Sequence, residues 1–232
     1  MTSISKIALA CAALVAASSA FAQKSGDNII SAGIASINPD ASLGTMTSNY
    51  QPFQGALTGA TANIGSATTV SLGWLHMYSD NIGAELTIGV PPKLTVDLTT
   101  PNGQVASHPG AATAKALTPT AVVKYFFNTP ADKMRPYLGL GVTHVSFQSI
   151  TANTSDQTVN ALAGTAASLS SSWAPVYNAG VIYNIDEKWS INGSVSYMPI
   201  TTTATFVGSG ATTSGDLKLN PTDYVIRLGY KF

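Results

Sequence analysis

From residue 28 to its end, the chain contains eight segments in which apolar and polar residues alternate. Such segments of ~10 residues, separated by turns, are typical of transmembrane β-barrels. No later segment has the ~18 consecutive apolar residues of a membrane-spanning helix. We therefore predict an all-β fold, an eight-stranded antiparallel transmembrane β-barrel. Its predicted strands are Asn28–Ile37, Thr68–Tyr78, Ile82–Val90, Leu117–Phe127, Arg135–Gln148, Ser172–Ile185, Lys188–Phe206 and Leu219–Phe232.

The connections between these segments alternate between long and short. In outer-membrane barrels, short turns face the periplasm and long loops face outside. An even strand number then places both termini at the periplasmic end. The long connections lack a helical period, and we expect them to be mobile loops without helices. They are Asn38–Ala67, Pro91–Ala116, Ser149–Ser171 and Val207–Lys218, and the short ones are Ser79–Asn81, Asn128–Met134 and Asp186–Glu187.

The chain of 232 residues is poor in charge. Asp, Glu, Lys and Arg make up 9% of it, and 11 basic residues balance 11 acidic ones. A soluble globular protein has about 25% charged residues, so a standard soluble enzyme is disfavoured. Nucleic acid is not a predicted partner, because binding its phosphates requires a basic surface. The composition favours a protein of the outer membrane, with membrane lipid as a predicted partner.

Residues 1–22 have the organisation of a secretory signal peptide. Lys6 supplies the positive n-region, Ile7–Ala17 forms the apolar core, and Ala20-Phe21-Ala22 is a cleavage site of the A-x-A type. We predict that this segment is removed after export and that residues 23–232 form the outer-membrane β-barrel.

The last predicted strand has an apolar residue at every second position and ends on phenylalanine. Barrel-assembly machinery is known to read such endings, so this machinery is a predicted partner and the row is a predicted assembly signal. The row consists of Tyr224, Ile226, Leu228, Tyr230 and Phe232.

Four stretches carry more specific motifs, and the most specific has Arg-Pro-Tyr before alternating glycines. They are Leu72–Leu86 (LGWLHMYSDNIGAEL), Thr118–Phe127 (TPTAVVKYFF), Arg135–Val142 (RPYLGLGV) and Asn220–Phe232 (NPTDYVIRLGYKF). They resemble the OmpW family (OmpW/AlkL-like) of small outer-membrane β-barrels. The resemblance implies a porin-like Gram-negative barrel whose hydrophobic lumen passes small apolar molecules. Small hydrophobic solutes are therefore predicted partners.

Three charged residues, Glu85, Lys124 and Arg227, fall on the inward-facing side of predicted strands. Each lies a few residues from the periplasmic end of its strand, so we expect similar depths. Buried charges are tolerated when they are paired, and the interior of an eight-stranded barrel is just filled by side chains. We predict that the three form an ion-pair cluster at the lumen floor. The alternative is three separate charges in contact with water.

A closed floor requires a lateral exit for an apolar solute. Pro91 and Pro92 lack the N–H groups of a strand ladder, so they are the candidate lateral gate; alternatively, they only end the third strand. Trp173 begins the sixth strand. It is a candidate lumen constriction or, as we favour, a member of the interfacial aromatic belt.

Two other functions are alternatives to transport. One is a structural or adhesive surface barrel whose loops contact host or phage. The other is a lipid A-modifying enzyme, since His144 and Ser146 have the H-x-S spacing of lipid A deacylases and Asp156 follows. The flanking residues match OmpW-type strands better, so we predict no enzyme. We predict no cofactor or metal site, because the histidines lie far apart and Cys11, the single cysteine, lies in the predicted signal peptide.

Overall fold

The computed structural model describes residues 23–101 and 106–232, so the predicted signal peptide lies outside the described residues. Within the described ranges, no helix is long and apolar enough to cross a membrane. The strands and helices of these ranges are, in chain order, β1 (Asn28–Asn38), β2 (Ser42–Leu43), β3 (Thr47–Ser48), α1 (Gln51–Ala56), β4 (Thr61–Ile64), β5 (Ala67–Met77), β6 (Ile82–Gly89), β7 (Lys93–Thr100), β8 (Ala106–Leu117), β9 (Thr120–Phe126), β10 (Met134–Ala152), α2 (Gln157–Ala163), β11 (Ala166–Leu169), β12 (Ser172–Asn184), β13 (Trp189–Tyr197), β14 (Thr201–Gly208), β15 (Ala211–Lys218) and β16 (Thr222–Lys231).

Eight strands form a closed antiparallel barrel, which confirms the predicted fold class. The pairing runs from β1 through β5, β6, β9, β10, β12 and β13 to β16. The barrel closes where β16 pairs with β1, with Ile30 opposite Tyr230. The backbone N–H of Phe232 also donates to the carbonyl of Asn28 at 3.0 Å. The first and last strands of the chain are therefore neighbours.

Side chains on the barrel strands alternate between the lipid-facing surface and the interior, as the pleat requires. In β9, Val123 and Tyr125 are 59% and 51% exposed, whereas Lys124 between them is 1% exposed. In β16, Tyr224, Ile226 and Leu228 of the predicted assembly signal face outward. Apolar side chains thus cover the wall that contacts lipid. The role of the β16 row in assembly stays a prediction.

The prediction of one continuous strand over residues 188–206 was wrong. The chain forms β13 up to Tyr197 and then β14 from Thr201. Pro199 lies in the break, where it has no N–H to donate to a ladder. The break lets the chain leave the barrel wall and enter the structure above it.

The long connections carry regular structure, so the prediction of loops without helices was wrong. Their strands, the helices α1 and α2, and the upper part of β10 form what we call the cap, at the extracellular end. One cap sheet contains β11, β14, β15, β2 and β3, and the other extends from β10 through β8 and β7 to β4. Both helices are too short to show a periodic pattern in the sequence. In α2 the carboxylate of Asp156 instead caps the first turn by accepting from the N–H groups of Thr158 and Val159.

Candidate functional site: the barrel interior and the cap

The structure brings Glu85, Lys124 and Arg227 together inside the barrel. Lys124 Nζ lies 2.5 Å from Glu85 Oε2, and Arg227 Nη1 lies 2.8 Å from Glu85 Oε1. Arg227 Nε also donates to Ser71 Oγ at 3.1 Å. The three charged residues are at most 5% exposed. One carboxylate thus binds two cations in a region from which solvent is excluded, where each charge depends on its partners.

Two neighbouring residues fit the space around this charge cluster. A Cβ atom on Gly73 would lie 2.6 Å from Arg227 Nη1, so a larger residue here would displace the guanidinium. Lys124 Nζ lies 4.3 Å from the centre of the Tyr137 ring, within cation–π range. Tyr137 in turn donates from its hydroxyl to Asn192 Oδ1 at 2.9 Å. These contacts therefore link the charge cluster to β10 and β13, which are the neighbours of β9 and β16 in the barrel.

Below the charge cluster, an apolar layer and a buried arginine close the periplasmic end. Arg135 is 0% exposed. Its guanidinium donates to the backbone carbonyls of Gln23, Asp80 and Phe127. Arg135 is the first residue of the Arg-Pro-Tyr motif, for which the sequence predicted no structural role. The layer consists of Ile29, Leu75, Met77, Phe126, Tyr137 and Ile182.

The interior above the charge cluster changes from polar to apolar with height. A cavity of about 70 Å³ directly above the cluster has a mixed lining, in which hydroxyl, amide and charged side chains such as Thr120, Asn178 and Asp223 alternate with apolar ones. A cavity of about 40 Å³ at the top of the barrel is lined mainly by apolar residues such as Leu94 and Met198. Only this upper part has the apolar character that the resemblance implied for the lumen.

The cap encloses an apolar cavity of about 90 Å³. Its walls come from both cap sheets and both helix regions, for example Leu57, Leu98, Leu162 and Phe206. A continuous group of buried aliphatic residues extends from this cavity down into the barrel interior. Its members include Ala62, Ile64, Leu94, Ala116, Val145, Met198, Ile200, Leu217 and Leu219.

The barrel wall has an interruption beside Pro91 and Pro92. The pairing of β6 with β9 ends at Thr87 and Thr120, and the pairing of β7 with β8 starts at Lys93 and Lys115. We call the stretch between these two pairs, residues 88–92 and 116–119, the ladder gap. It contains three prolines, Pro91 and Pro92 on one strand and Pro119 on the facing strand, and their missing N–H groups weaken the ladder here. The N–H of Ala116 still donates to the carbonyl of Pro92 at 3.4 Å.

Cavities lie on both sides of the ladder gap. On the inside, Pro92, Ala116 and Thr118 line the upper cavity of the barrel. On the outside, an apolar groove of about 540 Å³ on the lipid-facing surface borders Ile88 and Pro119. The ladder gap therefore lies between an interior cavity and an apolar groove on the lipid-facing surface.

The candidate lumen constriction at Trp173 is wrong. Trp173 is 71% exposed on the outer surface, where its ring packs 4.8 Å from the ring of His144, measured between centroids. The strand alternation explains this placement, because Ala174 and Val176 take the inward positions of β12 and are 3% and 1% exposed. The outward position agrees with the aromatic belt that we favoured.

The residues of the enzymatic alternative have other partners. His144 packs on Trp173, whereas Asp156 Oδ2 lies 2.8 Å from Nδ1 of His108 in the cap. The hydrogen bond from His108, together with the helix-capping bond from the N–H of Val159, holds the pKa of Asp156 below its ordinary value. Asp156 therefore fastens α2 to β8.

Comparisons with known proteins agree with this architecture. The sequence profile described as "OmpW family" matches residues 24–232. Outer membrane protein W of Vibrio cholerae is 32% identical over 95% of this chain and 96% of its own length. Outer membrane protein AlkL of Ectopseudomonas oleovorans is 25% identical over 77% of this chain and 71% of its own length.

A solved structure shows the same fold. The crystal structure of the outer membrane protein OprG from Pseudomonas aeruginosa superposes with a TM-score of 0.80 at 28% identity, covering 92% of this chain and 99% of that one. The chain is therefore an outer-membrane β-barrel protein of the Gram-negative envelope, and it belongs to the OmpW family.

Proposed function

We propose that the protein admits small apolar molecules through the cap and releases them sideways into the membrane through the ladder gap. The observation that carries this proposal is the continuous cluster of buried apolar side chains between the cap cavity and the upper barrel cavity, which we take as the path of the solute. The upper cavity borders the gap at Pro92 and Ala116. An apolar solute loses no hydrogen bonds along such a path and leaves water at its start.

The opposite end of the barrel disfavours a straight path to the periplasm. A solute on that path has to separate Glu85 from Lys124 and Arg227 and then displace Arg135 from three carbonyls. Removing one partner from a buried ion pair leaves an uncompensated charge and costs several kcal/mol. A sideways exit avoids this cost, because the groove outside the ladder gap is itself apolar.

The experiment tests whether the ladder gap is the exit. Pro91→Val, Pro92→Thr and Pro119→Thr are combined to restore N–H donors to both strands. Cells with the wild-type protein and cells with this variant are compared for uptake of N-phenylnaphthylamine, an apolar dye that fluoresces in membranes. We expect the variant to lower the initial uptake rate several-fold, to near the rate of cells without the protein.

Pro130→Thr is the matched control, because Pro130 lies in the periplasmic turn between β9 and β10, away from the gap. It is expected to keep wild-type uptake. Uptake by the triple variant at the wild-type rate, with equal amounts of folded protein in the outer membrane, rejects the lateral exit. Wild-type cells that take up no more dye than cells without the protein reject transport of this solute class.

A further inference from the structure

Asp223 stands at the border between the polar and apolar cavities of the barrel. It lies near the upper end of β16 and lines both the polar cavity of about 70 Å³ and the apolar cavity of about 40 Å³ above it. Ile37 and Met198 line both cavities as well. A molecule that occupies both spaces therefore passes directly by the Asp223 carboxyl group.

Two oxygen atoms at this border are buried acceptors without a hydrogen-bond partner in residues 23–101 and 106–232. They are Oδ1 of Asp223 and Oδ1 of Asn178. Asn178 is 8% exposed, and its amide nitrogen is already used, since it donates to the Val195 carbonyl at 3.1 Å and to Ser196 Oγ at 2.9 Å. Buried acceptors are costly without a donor, so these atoms favour a ligand that brings donors.

The strand register places these two acceptors in one row. Asn178 of β12 is opposite Ser196 of β13, and Ser196 is opposite Asp223 of β16. Asn178 and Asp223 both line the cavity of about 70 Å³. A donor-rich group in this cavity is therefore in contact with the walls that carry both residues.

The charges of the barrel interior favour a cation for this position. Lys124 and Arg227 both bind the carboxylate of Glu85. Among the ion pairs of the described residues, none includes Asp223. A carboxylate in a low-dielectric space is stabilised most by a positive charge that also donates hydrogen bonds.

We propose that Asp223 and Asn178 bind the ammonium group of a small alkylamine whose hydrocarbon chain occupies the apolar cavity above them. A primary ammonium has three donors, enough for both free oxygens and for a hydroxyl of the same wall, such as that of Ser194. A cavity needs ~10–15 Å³ to hold a water-sized group, so the polar cavity accommodates a methylene-ammonium head. The inference rests on the proposed function, because the amine reaches this position by the same apolar route.

The test measures binding to the intact barrel in phospholipid nanodiscs at pH 8. Octylamine and octanol are titrated separately, and the shift of the Asn178 side-chain amide resonance is followed by nuclear magnetic resonance, with empty nanodiscs to correct for partitioning. We expect octylamine to bind about tenfold more tightly than octanol, the order of one charge-assisted hydrogen bond. Asp223→Asn is expected to abolish this preference, and Asp223→Glu to retain part of it.

Asp216→Asn is the matched control, because Asp216 is an acidic residue of the cap strand β15. It is expected to keep the preference. Equal affinities for octylamine and octanol in the wild type overturn the proposal, as does an unchanged preference in folded Asp223→Asn. If Asp223→Asn does not fold, Asn178→Leu replaces it, with loss of the preference expected.

The binding readout separates this inference from the proposed route. If the preference for octylamine depends on Asp223 but the ladder-gap variant takes up dye at the wild-type rate, the ammonium site is supported and the lateral exit is rejected. The reverse combination supports the exit and rejects the ammonium site.

Discussion

At the periplasmic end of the barrel, the guanidinium of Arg135 binds three backbone carbonyls and the carboxylate of Glu85 binds two cations. At the extracellular end, by contrast, mainly aliphatic side chains enclose the cap cavity. The first kind of contact is directional, and a partner that moves away leaves a buried charge or carbonyl unsatisfied. The second kind is non-directional and depends mainly on buried area. We therefore expect the periplasmic half of the barrel to be rigid, and the side chains around the cap cavity to rearrange when a solute enters it.

The largest effect is expected at the charge cluster. Glu85→Gln leaves Lys124 and Arg227 without their carboxylate, and removing one partner of a buried pair costs about 3–5 kcal/mol. Urea unfolding of the protein in lipid vesicles measures the change. Glu187→Gln, on an exposed periplasmic turn, is the control and should change the free energy of unfolding very little. A loss below about 1 kcal/mol for Glu85→Gln means that the lower half does not depend on these pairs.

The next effect concerns Arg135. Arg135→Leu removes the hydrogen-bond donors of three carbonyls, and a hydrogen bond to a charged group contributes about 1.5–3 kcal/mol. The carbonyls can relax toward periplasmic water in the variant. We therefore expect the free energy of unfolding to fall by about 2–3 kcal/mol in total. Hydrogen exchange should also speed up in the segment around Gln23, which Arg135 binds. Arg135→Lys keeps the charge but not the fork of donors, and intermediate behaviour is expected. Unchanged exchange near Gln23 in Arg135→Leu contradicts the assigned role.

A smaller effect on stability is expected in the cap, together with a large effect on uptake. Ala114 lines the cap cavity, and Ala114→Leu fills part of it. Overpacking lowers the free energy of unfolding by about 1–3 kcal/mol. We expect a value near the lower limit, because the apolar contacts of the cap are non-directional and can adjust to the larger side chain. Dye uptake should fall several-fold. Ala84→Leu, on β6 of the barrel wall, is the control for added volume elsewhere. Normal uptake by folded Ala114→Leu excludes the cap cavity from the route.

The smallest effect concerns the attachment of α2. Asp156→Ala removes an N-cap, which costs about 1 kcal/mol, whereas Asp156→Asn keeps a capping side chain and loses only the charge. The lowered pKa of Asp156 has a pH consequence. Its contribution is complete above the ordinary carboxyl pKa of about 3.9 and disappears as the pH falls below that value through the lowered one. The hydrogen-exchange protection factors of α2, which correct for the pH dependence of intrinsic exchange, should therefore fall in the wild type between neutral and strongly acidic pH. Equal protection factors under the two conditions refute the link.

The barrel was predictable because its signal is repeated in every strand. The period-two alternation placed Glu85, Lys124 and Arg227 on the inner face, and the structure brings them into contact. The cap was not predictable in the same way. Its strands and helices are short, rich in Ala, Thr, Ser and Gly, and stabilised by packing between distant connections, as for Leu57 and Leu162 in one cluster. Pairings of this kind leave no local pattern.

The site residues show the same division. Pro91 and Pro92 were recognisable as ladder breakers, but Pro119 gained meaning only when the strand pairing placed it on the facing strand, beside the same gap. Asp223 and Asn178 lie on different strands, 45 positions apart in the sequence, and only the folded barrel makes them line one cavity. Arg135 was visible in a motif, yet its carbonyl partners come from three separate segments.

The pairing of β1 with β16 also constrains how the protein folds. Ile30 and Tyr230 are among the most distant positions of the barrel sequence, and they are direct neighbours in its wall. Loop closure over nearly the whole chain is entropically unfavourable, and high contact order is associated with slow folding. The barrel cannot close before its last strand is available, so one edge of β1 stays unpaired until then. An unpaired strand edge can pair with another chain, and slow closure therefore lengthens the time in which β1 is open to aggregation.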